Sequence, residues 1–169
     1  MTAQTPSQAK IAVVTGAGSG IGRLSALALL DAGWAVTLVG RRRSALEESL
    51  SLSKESAGSI CAADITDEAT VDTLFEQVFE AHGRLDLLFN NAGIFSGSVP
   101  FEQTDASEWR RMIDVNLTGA FLCARSAFRL MKRQAPSGGR IINNGSISAH
   151  VPRPRAAAYT ASKHAITGL

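Results

Sequence analysis

The chain has 169 residues, of which 45% are hydrophobic and 19% charged, and its formal net charge is +2 at pH 7. This composition is typical of one globular domain and excludes a disordered chain. So small a net charge gives no reason to expect a nucleic acid or a membrane surface as a partner. Cys61 and Cys123 show no CxxC spacing, and we expect free thiols and a cytoplasmic location.

The first residues, MTAQTPSQAK, are polar and lack the apolar stretch of a signal peptide. We therefore expect a flexible N-terminus over residues 1–9 and a single domain over residues 10–169. His82, His150 and His164 do not have the spacing of metal ligands, so the sequence predicts no metal site.

Short apolar runs along the chain predict five buried strands. They are nearly continuous rather than alternating, which is typical of parallel strands covered on both faces. The predicted strands are Ile11–Thr15, Ala35–Gly40, Ser59–Ala63, Leu85–Asn90 and Arg140–Asn144.

Segments with helical periodicity separate the strands. The first predicts a buried face formed by Leu24, Leu27, Ala28 and Leu30. The second, opened by Thr66-Asp67-Glu68 and closed at His82-Gly83, predicts a face formed by Val71, Leu74, Phe75, Val78 and Phe79. A longer helical stretch runs from about Asp105 to Arg133, with a bend expected at Gly119. Alternating strands and helices predict an α/β fold with a doubly wound parallel sheet and right-handed crossovers.

The segment TGAGSGIG, from Thr15 to Gly22, connects the first strand to the first helix. Glycines allow a tight turn and a close approach to a pyrophosphate, while the helix N-terminus offers N–H donors and a partial positive charge. A tight connection without a ligand is the alternative. We interpret the turn as a dinucleotide site, with these candidate contacts: Gly16, Ser19, Gly20, Ile21 and Gly22.

The second predicted strand ends at Gly40 and is followed by three arginines, Arg41 to Arg43. An acidic residue at this point would accept a hydrogen bond from a ribose 2′-OH and repel a 2′-phosphate. Arginine instead supplies a forked donor for a phosphate. The sequence therefore favours NADP over NAD, with Arg41 as the candidate contact. The alternative is a solvated, basic start of a helix.

Five motifs occur in the order and spacing of one enzyme family, with Ser146 thirteen positions before Tyr159. They are TGAGSGIG, NNAG (Asn90–Gly93), VNLTG (Val115–Gly119), IINNGS (Ile141–Ser146) and YTASK (Tyr159–Lys163). In these motifs the chain resembles the short-chain dehydrogenase/reductase family from Ile11 to Leu169. The resemblance implies a Rossmann-like doubly wound parallel sheet whose five strands have the order 3-2-1-4-5. It also implies an NAD(P)-dependent oxidoreductase that interconverts an alcohol and a ketone or aldehyde.

A tyrosine and a lysine one helical turn apart suit proton transfer. A phenol with a pKa of about 10 is a poor base at neutral pH, and a nearby ammonium favours the phenolate. We predict Tyr159 as the general acid/base and Lys163 as its electrostatic partner, with Ser146 orienting the substrate oxygen. The resemblance implies that Asn116 anchors a water of the proton relay. The alternative for Tyr159 and Lys163 is an amphipathic surface pair. The alternative for Asn116 is a capping or hydrogen-bonding role within a bent helix.

The resemblance also assigns contacts to the cofactor. Asp64 resembles the residue that meets the adenine ring, although it could instead cap the following helix. Asn90, Ala92 and Gly93 of NNAG resemble cofactor-side residues, and Lys163 with Tyr159 resembles the pair beside the nicotinamide ribose. The implied partners are a small alcohol or carbonyl substrate and, for the full-length form, further copies in a homodimer or homotetramer.

The chain ends a few residues after the YTASK motif, whereas members of the family are much longer. The resemblance implies that the rest of this helix, two further strands, a Pro-Gly cofactor loop and a substrate-binding lid are missing. Two alternatives to catalysis therefore stay open: a truncated, non-catalytic nucleotide-binding module, and a regulatory or interaction protein with the same fold.

Overall fold

The computed structural model describes residues 9–55 and 57–169. The predicted flexible N-terminus lies outside this range except for its last residue. In chain order the helices and strands are β1 Ile11–Thr15, α1 Gly20–Asp31, β2 Ala35–Gly40, α2 Arg43–Ser51, β3 Gly58–Ala62, α3 Glu68–His82, β4 Leu87–Asn90, α4 Ala106–Ile113, α5 Gly119–Arg133, β5 Arg140–Asn143 and α6 Ala157–Gly168.

The five strands form one parallel sheet in the order β3-β2-β1-β4-β5, which confirms the predicted fold class and strand order. In the centre of the sheet Val13 pairs with Thr37 of β2 on one side and with Leu88 of β4 on the other. All carboxyl ends of the strands therefore point to the same edge, where the loops carrying the sequence motifs meet.

Each face of the sheet is covered by helices and has its own apolar core. Val13, Val39 and Leu88 pack against α3 and α5 on one face, whereas Ala12, Val14 and Leu38 pack against α1 and α2 on the other. All five residues of β1 are buried, because neighbouring residues of a strand point to opposite faces and both faces are covered. This explains the continuous apolar runs in the sequence.

The face that α1 buries differs from the predicted one. Leu24 is 68% exposed, and Ala28 is exposed as well. Leu30 is buried as predicted and Leu27 is half-buried, but the other buried positions are Gly22 and Ala26. Small residues take the contact because α1 starts so close to the glycine turn that a Cβ atom on Gly22 would lie 2.4 Å from the carbonyl oxygen of Gly16. The pattern is therefore wrong for Leu24 and Ala28, because the close backbone approach at Gly22 also sets the rotation of the helix.

The long helical stretch is divided by a π-turn over Asp114–Thr118, where the amide of Gly119 donates to the carbonyl of Asp114. Gly119 itself has helical backbone angles, and the departure from a regular α-helix lies in the five residues before it. A Cβ atom at Gly119 would lie 2.8 Å from the side chain of Ile65, which explains the glycine by close packing. The π-turn shifts the register between α4 and α5, a feature typical of functional sites.

Other differences between the predicted and the observed elements concern one helix and the start of one strand. The sequence pattern does not assign α2, and β4 begins at Leu87 rather than at Leu85. The predicted helix start at Thr66-Asp67-Glu68 agrees with the structure, since the Asp67 carboxylate caps α3 by accepting from the amide of Thr70 at 2.9 Å. Within residues 9–55 and 57–169, no helix combines the length and the apolar character needed to cross a bilayer.

Asp86 directly precedes β4 and makes hydrogen bonds to the first residues of β1 and β5. Its carboxylate accepts from the amide of Ile11 at 2.8 Å and from the guanidinium of Arg84 at 2.6 Å, and its carbonyl accepts from the amide of Arg140. Partial burial raises the pKa of the Asp86 carboxyl, but the hydrogen bonds from Arg84 and Ile11 outweigh it and hold the pKa below the usual 3.8. The ionised carboxylate therefore stabilises the folded state.

Asp86→Asn should lower the free energy of unfolding at pH 7 by about 1–3 kcal/mol, because the charged acceptor of Arg84 and Ile11 is lost. The stabilisation by Asp86 is complete above the pKa of the unfolded chain and disappears as the pH falls through the lower folded pKa. Urea unfolding from pH 7 down to pH 3 should show that the difference in free energy of unfolding between the wild type and the variant narrows below pH 3.8. Glu80→Gln, at an exposed carboxylate, is the control, and a gap independent of pH would contradict the assignment.

Candidate active site

The glycine turn between β1 and α1 has a separate geometric reason for each of its three motif glycines. Gly16 has φ +67°, and a Cβ atom there would lie 2.9 Å from Cα of Ala92. Gly20 has φ +54°, and Gly22 packs against the carbonyl of Gly16. Ser19 precedes α1 in extended conformation without capping the helix by its side chain. The N-terminus of α1 therefore presents N–H donors that suit an anion.

A cavity of about 400 Å³ opens over the carboxyl ends of β1 to β4. The glycine turn, the start of α2, the loop after β3 and the NNAG segment form its walls. Seven predicted cofactor contacts line it: Gly16, Ser19, Ile21, Arg41, Asp64, Ala92 and Gly93. Gly20 and Gly22 shape the turn without lining the cavity, and Tyr159 and Lys163 lie on α6 outside its lining. The cavity thus joins the turn, the arginines and NNAG in one concave surface.

The wall at the end of β2 is basic. Gly40, Arg41 and Arg42 line the cavity, and Arg42 is the residue before the first turn of α2. Asp64, on the neighbouring wall, accepts hydrogen bonds from the amide and the hydroxyl of Thr66 at 3.0 and 2.8 Å. Asp64 thus closes a turn and does not cap α3, a role that Asp67 takes.

The two asparagines of NNAG have different surroundings. Asn90 is 6% exposed, and its amide donates to the carbonyl of Ala120 at 2.9 Å and to the side chain of Asn143 at 3.0 Å. Asn91, in contrast, lines the cavity. The structure therefore favours Asn91 over the predicted Asn90 on the cofactor side, because β4 ends with Asn90 turned towards α5 and β5.

A chain of hydrogen bonds connects the cavity to α6. The Asn91 side chain donates to the carbonyl of Thr15 at 3.0 Å and accepts from the side chain of Asn144 at 2.9 Å. The carbonyl of Asn144 in turn accepts from Nζ of Lys163 at 2.7 Å. The ends of β1, β4 and β5 thus hold the lysine in a fixed position.

Lys163 is 6% exposed, so it does not form an amphipathic surface pair with Tyr159. Burial lowers the pKa of its ammonium group below the usual value. Nζ lies 5.9 Å from the centre of the Tyr159 ring, which is half-buried at the start of α6. The two side chains of the YTASK motif therefore lie beside each other, with the lysine on the buried side.

Ser146 follows β5 and starts a short 3₁₀ turn, Ile147–Ala149, where its Oγ accepts from the amide of Ser148 at 3.1 Å. Contacts between this turn and α6 bring the Ser146 and Tyr159 segments together. The ring of Phe95 packs edge-on against the ring of Tyr159 at 5.2 Å. The turn that Ser146 opens thus packs against the helix that carries Tyr159 and Lys163.

Asn116 lies in the π-turn and is 1% exposed. Its side-chain oxygen accepts from the amide of Ile94 at 2.7 Å, and its side-chain nitrogen donates to the carbonyl of Ile94 and to Oγ of Ser162. Asn116 thus links the loop after β4 to α6. Both polar atoms of the side chain thus take part in holding this loop and α6 together.

Sequence reasoning missed several residues of this network. Thr15 accepts from the amides of Asn91 and Ala92 through its hydroxyl at 3.0 Å, and Asn144 bonds both Asn91 and Lys163. Polar residues that end otherwise apolar strands were the available signal, because such side chains meet at the carboxyl edge of a parallel sheet. Arg155 was also missed. It has φ +59°, and its carbonyl accepts from the amide of Val99, joining two loops near Tyr159.

A sequence model described as short chain dehydrogenase matches residues 10–169, almost all of the chain. The chain belongs to the short-chain dehydrogenase family. The match confirms the family that the five motifs resemble.

Comparisons with individual proteins support the same family. The chain is 39% identical over 162 residues to a 3beta-hydroxysteroid dehydrogenase of Mediterraneibacter gnavus, covering 95% of this chain and 58% of the relative. The structure of ElxO with NADP bound matches with a TM-score of 0.88 at 31% identity, covering 95% of this chain and 64% of ElxO. A 3-ketoacyl-(acyl-carrier-protein) reductase from Brucella melitensis, complexed with NADH, matches with a TM-score of 0.89 at 33% identity, covering 94% and 66%. The chain spans about three fifths of the length of the curated relatives it matches.

Lys163→Met should change how stability depends on pH. The folded pKa of Lys163 lies below 10.5, the usual value. Between these two values the unfolded chain keeps a proton that the folded chain has lost, so the free energy of unfolding rises with pH. In urea unfolding between pH 7 and pH 10, the free energy of unfolding of the wild type should therefore rise relative to that of the variant. Lys132→Met, at an exposed lysine, is the control, and a constant difference over the whole range would refute the buried ammonium.

Proposed function

We propose that this chain carries the cofactor-binding and catalytic core of an NAD(P)-dependent oxidoreductase that interconverts an alcohol and a ketone or aldehyde. The observation that carries the proposal is the buried ammonium of Lys163 beside the ring of Tyr159, connected by hydrogen bonds to the wall of the cavity. A surface pair of the same two residue types would have neither the burial nor the connection. Membership of the short-chain dehydrogenase family supports the same activity.

The cavity fits a dinucleotide. A side chain at Gly16 or Gly22 would collide with backbone atoms, so the turn keeps the open form that a pyrophosphate needs. Gly16, Ser19 and Ile21 would hold the pyrophosphate, Asp64 the adenine, and Ala92 and Gly93 the middle of the cofactor. When bound, a nicotinamide cofactor supplies or accepts the hydride of the alcohol–carbonyl exchange.

The chain's own residues handle the proton and the orientation of the substrate. In the direction of reduction, the Tyr159 hydroxyl donates a proton to the substrate oxygen as the hydride reaches the carbonyl carbon, and in oxidation the phenolate accepts it. The ammonium of Lys163 stabilises that phenolate. Ser146 donates a hydrogen bond to the substrate oxygen and fixes its position. Asn116 holds the loop after β4 against α6, so that the phenol keeps its place.

Tyr159→Phe should lower kcat by roughly 10²–10⁴-fold, the usual contribution of general acid–base catalysis, because the phenylalanine ring has no proton to transfer. Cofactor affinity should change by less than about threefold, because the substitution removes one hydroxyl and the cavity lining stays intact. Steady-state reduction of a panel of ketones and aldehydes, with NADPH binding measured by fluorescence, checks both values. Full activity of the variant would disprove the role of Tyr159. Binding without turnover by the wild type would favour the non-catalytic module.

The preference for NADP is a further part of the proposal. The two related structures hold different cofactors, NADP in one and NADH in the other, so family membership leaves the choice open. The support comes from the basic wall, where Arg41 and Arg42 line the cavity and the end of β2 carries no carboxylate. A homodimer or homotetramer of the full-length form, and a cytoplasmic location, stay predictions.

Arg41→Ala should weaken NADPH binding by roughly tenfold or more and NADH binding by less than about twofold, because only NADPH carries the 2′-phosphate. Titration of both cofactors by fluorescence measures the ratio. Arg43→Ala is the matched control, since Arg43 belongs to the same run of arginines but lies near Glu47 at 3.9 Å and does not line the cavity. An equal loss for NADPH and NADH would remove the argument for NADP.

A further inference from the structure

Arg23, in the first turn of α1, makes three hydrogen bonds to two different elements. Its guanidinium donates to the carbonyl of Gly18 at 2.8 Å, to the carboxylate of Glu48 at 3.0 Å and to the hydroxyl of Ser49 at 2.8 Å. Gly18 belongs to the glycine turn, whereas Glu48 and Ser49 belong to α2. One side chain therefore bridges the two elements.

These two elements form adjoining parts of the cavity. Gly18 lines it on the side of the turn, and Arg41, Arg42 and Ala45 line it on the side of α2. The turn and the helix also touch directly, because a Cβ atom on Gly18 would lie 3.1 Å from that of Ala45. The width of the cavity at this point depends on how closely α2 is held to the turn.

Arg23 itself does not line the cavity, and its side chain is only 21% exposed. Its pairing with Glu48, which is 64% exposed, would contribute little as an isolated surface salt bridge. Ser49, however, is fully buried and passes a second hydrogen bond to the carbonyl of Ala45 at 2.8 Å. The bridge thus runs from the turn through Arg23 and Ser49 to the part of α2 that faces the cavity.

We propose that Arg23 is a positioning residue for the cofactor, which holds the pyrophosphate turn and the start of α2 at the separation that one dinucleotide requires. The inference rests on the proposed function of the cavity as a dinucleotide site. Without the bridge each wall can still bind its own part of the ligand, but a ligand that contacts both walls must first bring them together. Preorganisation by Arg23 removes that cost.

The test compares a ligand that spans both walls with one that contacts a single wall. In the 169-residue chain, Arg23→Leu should weaken NADPH binding by roughly tenfold, because the loss of preorganisation and of charge-assisted bonds acts on the spanning ligand. Binding of 2′-AMP, which reaches only the adenosine side, should change by less than about twofold. Arg23→Lys keeps the positive charge and one donor nitrogen, so it should bind NADPH more tightly than Arg23→Leu but more weakly than the wild type. Fluorescence titration and NMR chemical shifts, recorded below the unfolding temperature of each variant, measure the two ligands.

A second pair of variants covers the case in which Arg23→Leu does not fold. Glu48→Ala and Glu47→Ala remove the same charge from neighbouring positions of α2, but only Glu48 contacts Arg23. Glu48→Ala should therefore bind NADPH more weakly than Glu47→Ala, by roughly threefold.

The outcomes separate the two proposals. A wild-type chain that binds no dinucleotide refutes the proposed function, and the inference with it. A wild type that binds NADPH supports the cavity, and the ratios between variants then decide on Arg23. Equal losses for NADPH and 2′-AMP, or equal affinities of the Glu48 and Glu47 variants, would overturn the positioning role.

Discussion

The hydrogen bond from Nζ of Lys163 to the carbonyl of Asn144 is the interaction on which the arrangement of the site depends. A buried ammonium is costly unless an acceptor meets it, and this carbonyl lies at the end of β5, where the sheet fixes its position. The Asn144 side chain extends the constraint to Asn91, and Asn91 extends it to Thr15 at the end of β1. Because three strand ends share the network, displacing the lysine would also displace the wall of the cofactor cavity. The lysine is therefore held in a fixed place beside the ring of Tyr159.

Close backbone approach is the second constraint. Gly16, Gly22 and Gly119 all lie where a Cβ atom would fall within 3 Å of another atom. At the first two positions the contact leaves α1 pointing its N-terminus into the cavity, and at the third it lets α5 pack on the loop after β3. The rotation of α1 follows from the same contact, so that Leu24 faces solvent. Small residues thus set both the shape of the anion site and the packing of the helices around it.

The residues that line the cavity and the phenol of Tyr159 belong to different parts of the chain. Hydrogen bonds between the elements that carry them fix their relative positions. Asn116, in the π-turn, bonds the loop after β4 and Ser162 of α6, so the segment that follows NNAG is tied to the helix of Tyr159. Arg23 acts in the same way at the other end of the cavity, between the turn and α2. The proposed reaction needs both connections, because hydride and proton transfer require a cofactor and a phenol held at one substrate.

The sequence alone determined the parallel α/β fold, since apolar runs and helical periodicity are local patterns. The order and spacing of its five motifs pointed to the family, and the resemblance implied the strand order. The sequence also pointed to Lys163 and Tyr159 as a functional pair. Only the tertiary structure decided which asparagine of NNAG faces the cavity, where the long helix changes register and which face α1 buries. These features depend on contacts between residues far apart in the chain, such as Gly16 with Ala92 and Gly119 with Ile65. Local periodicity contains no information about such contacts, because they arise when separate elements pack together.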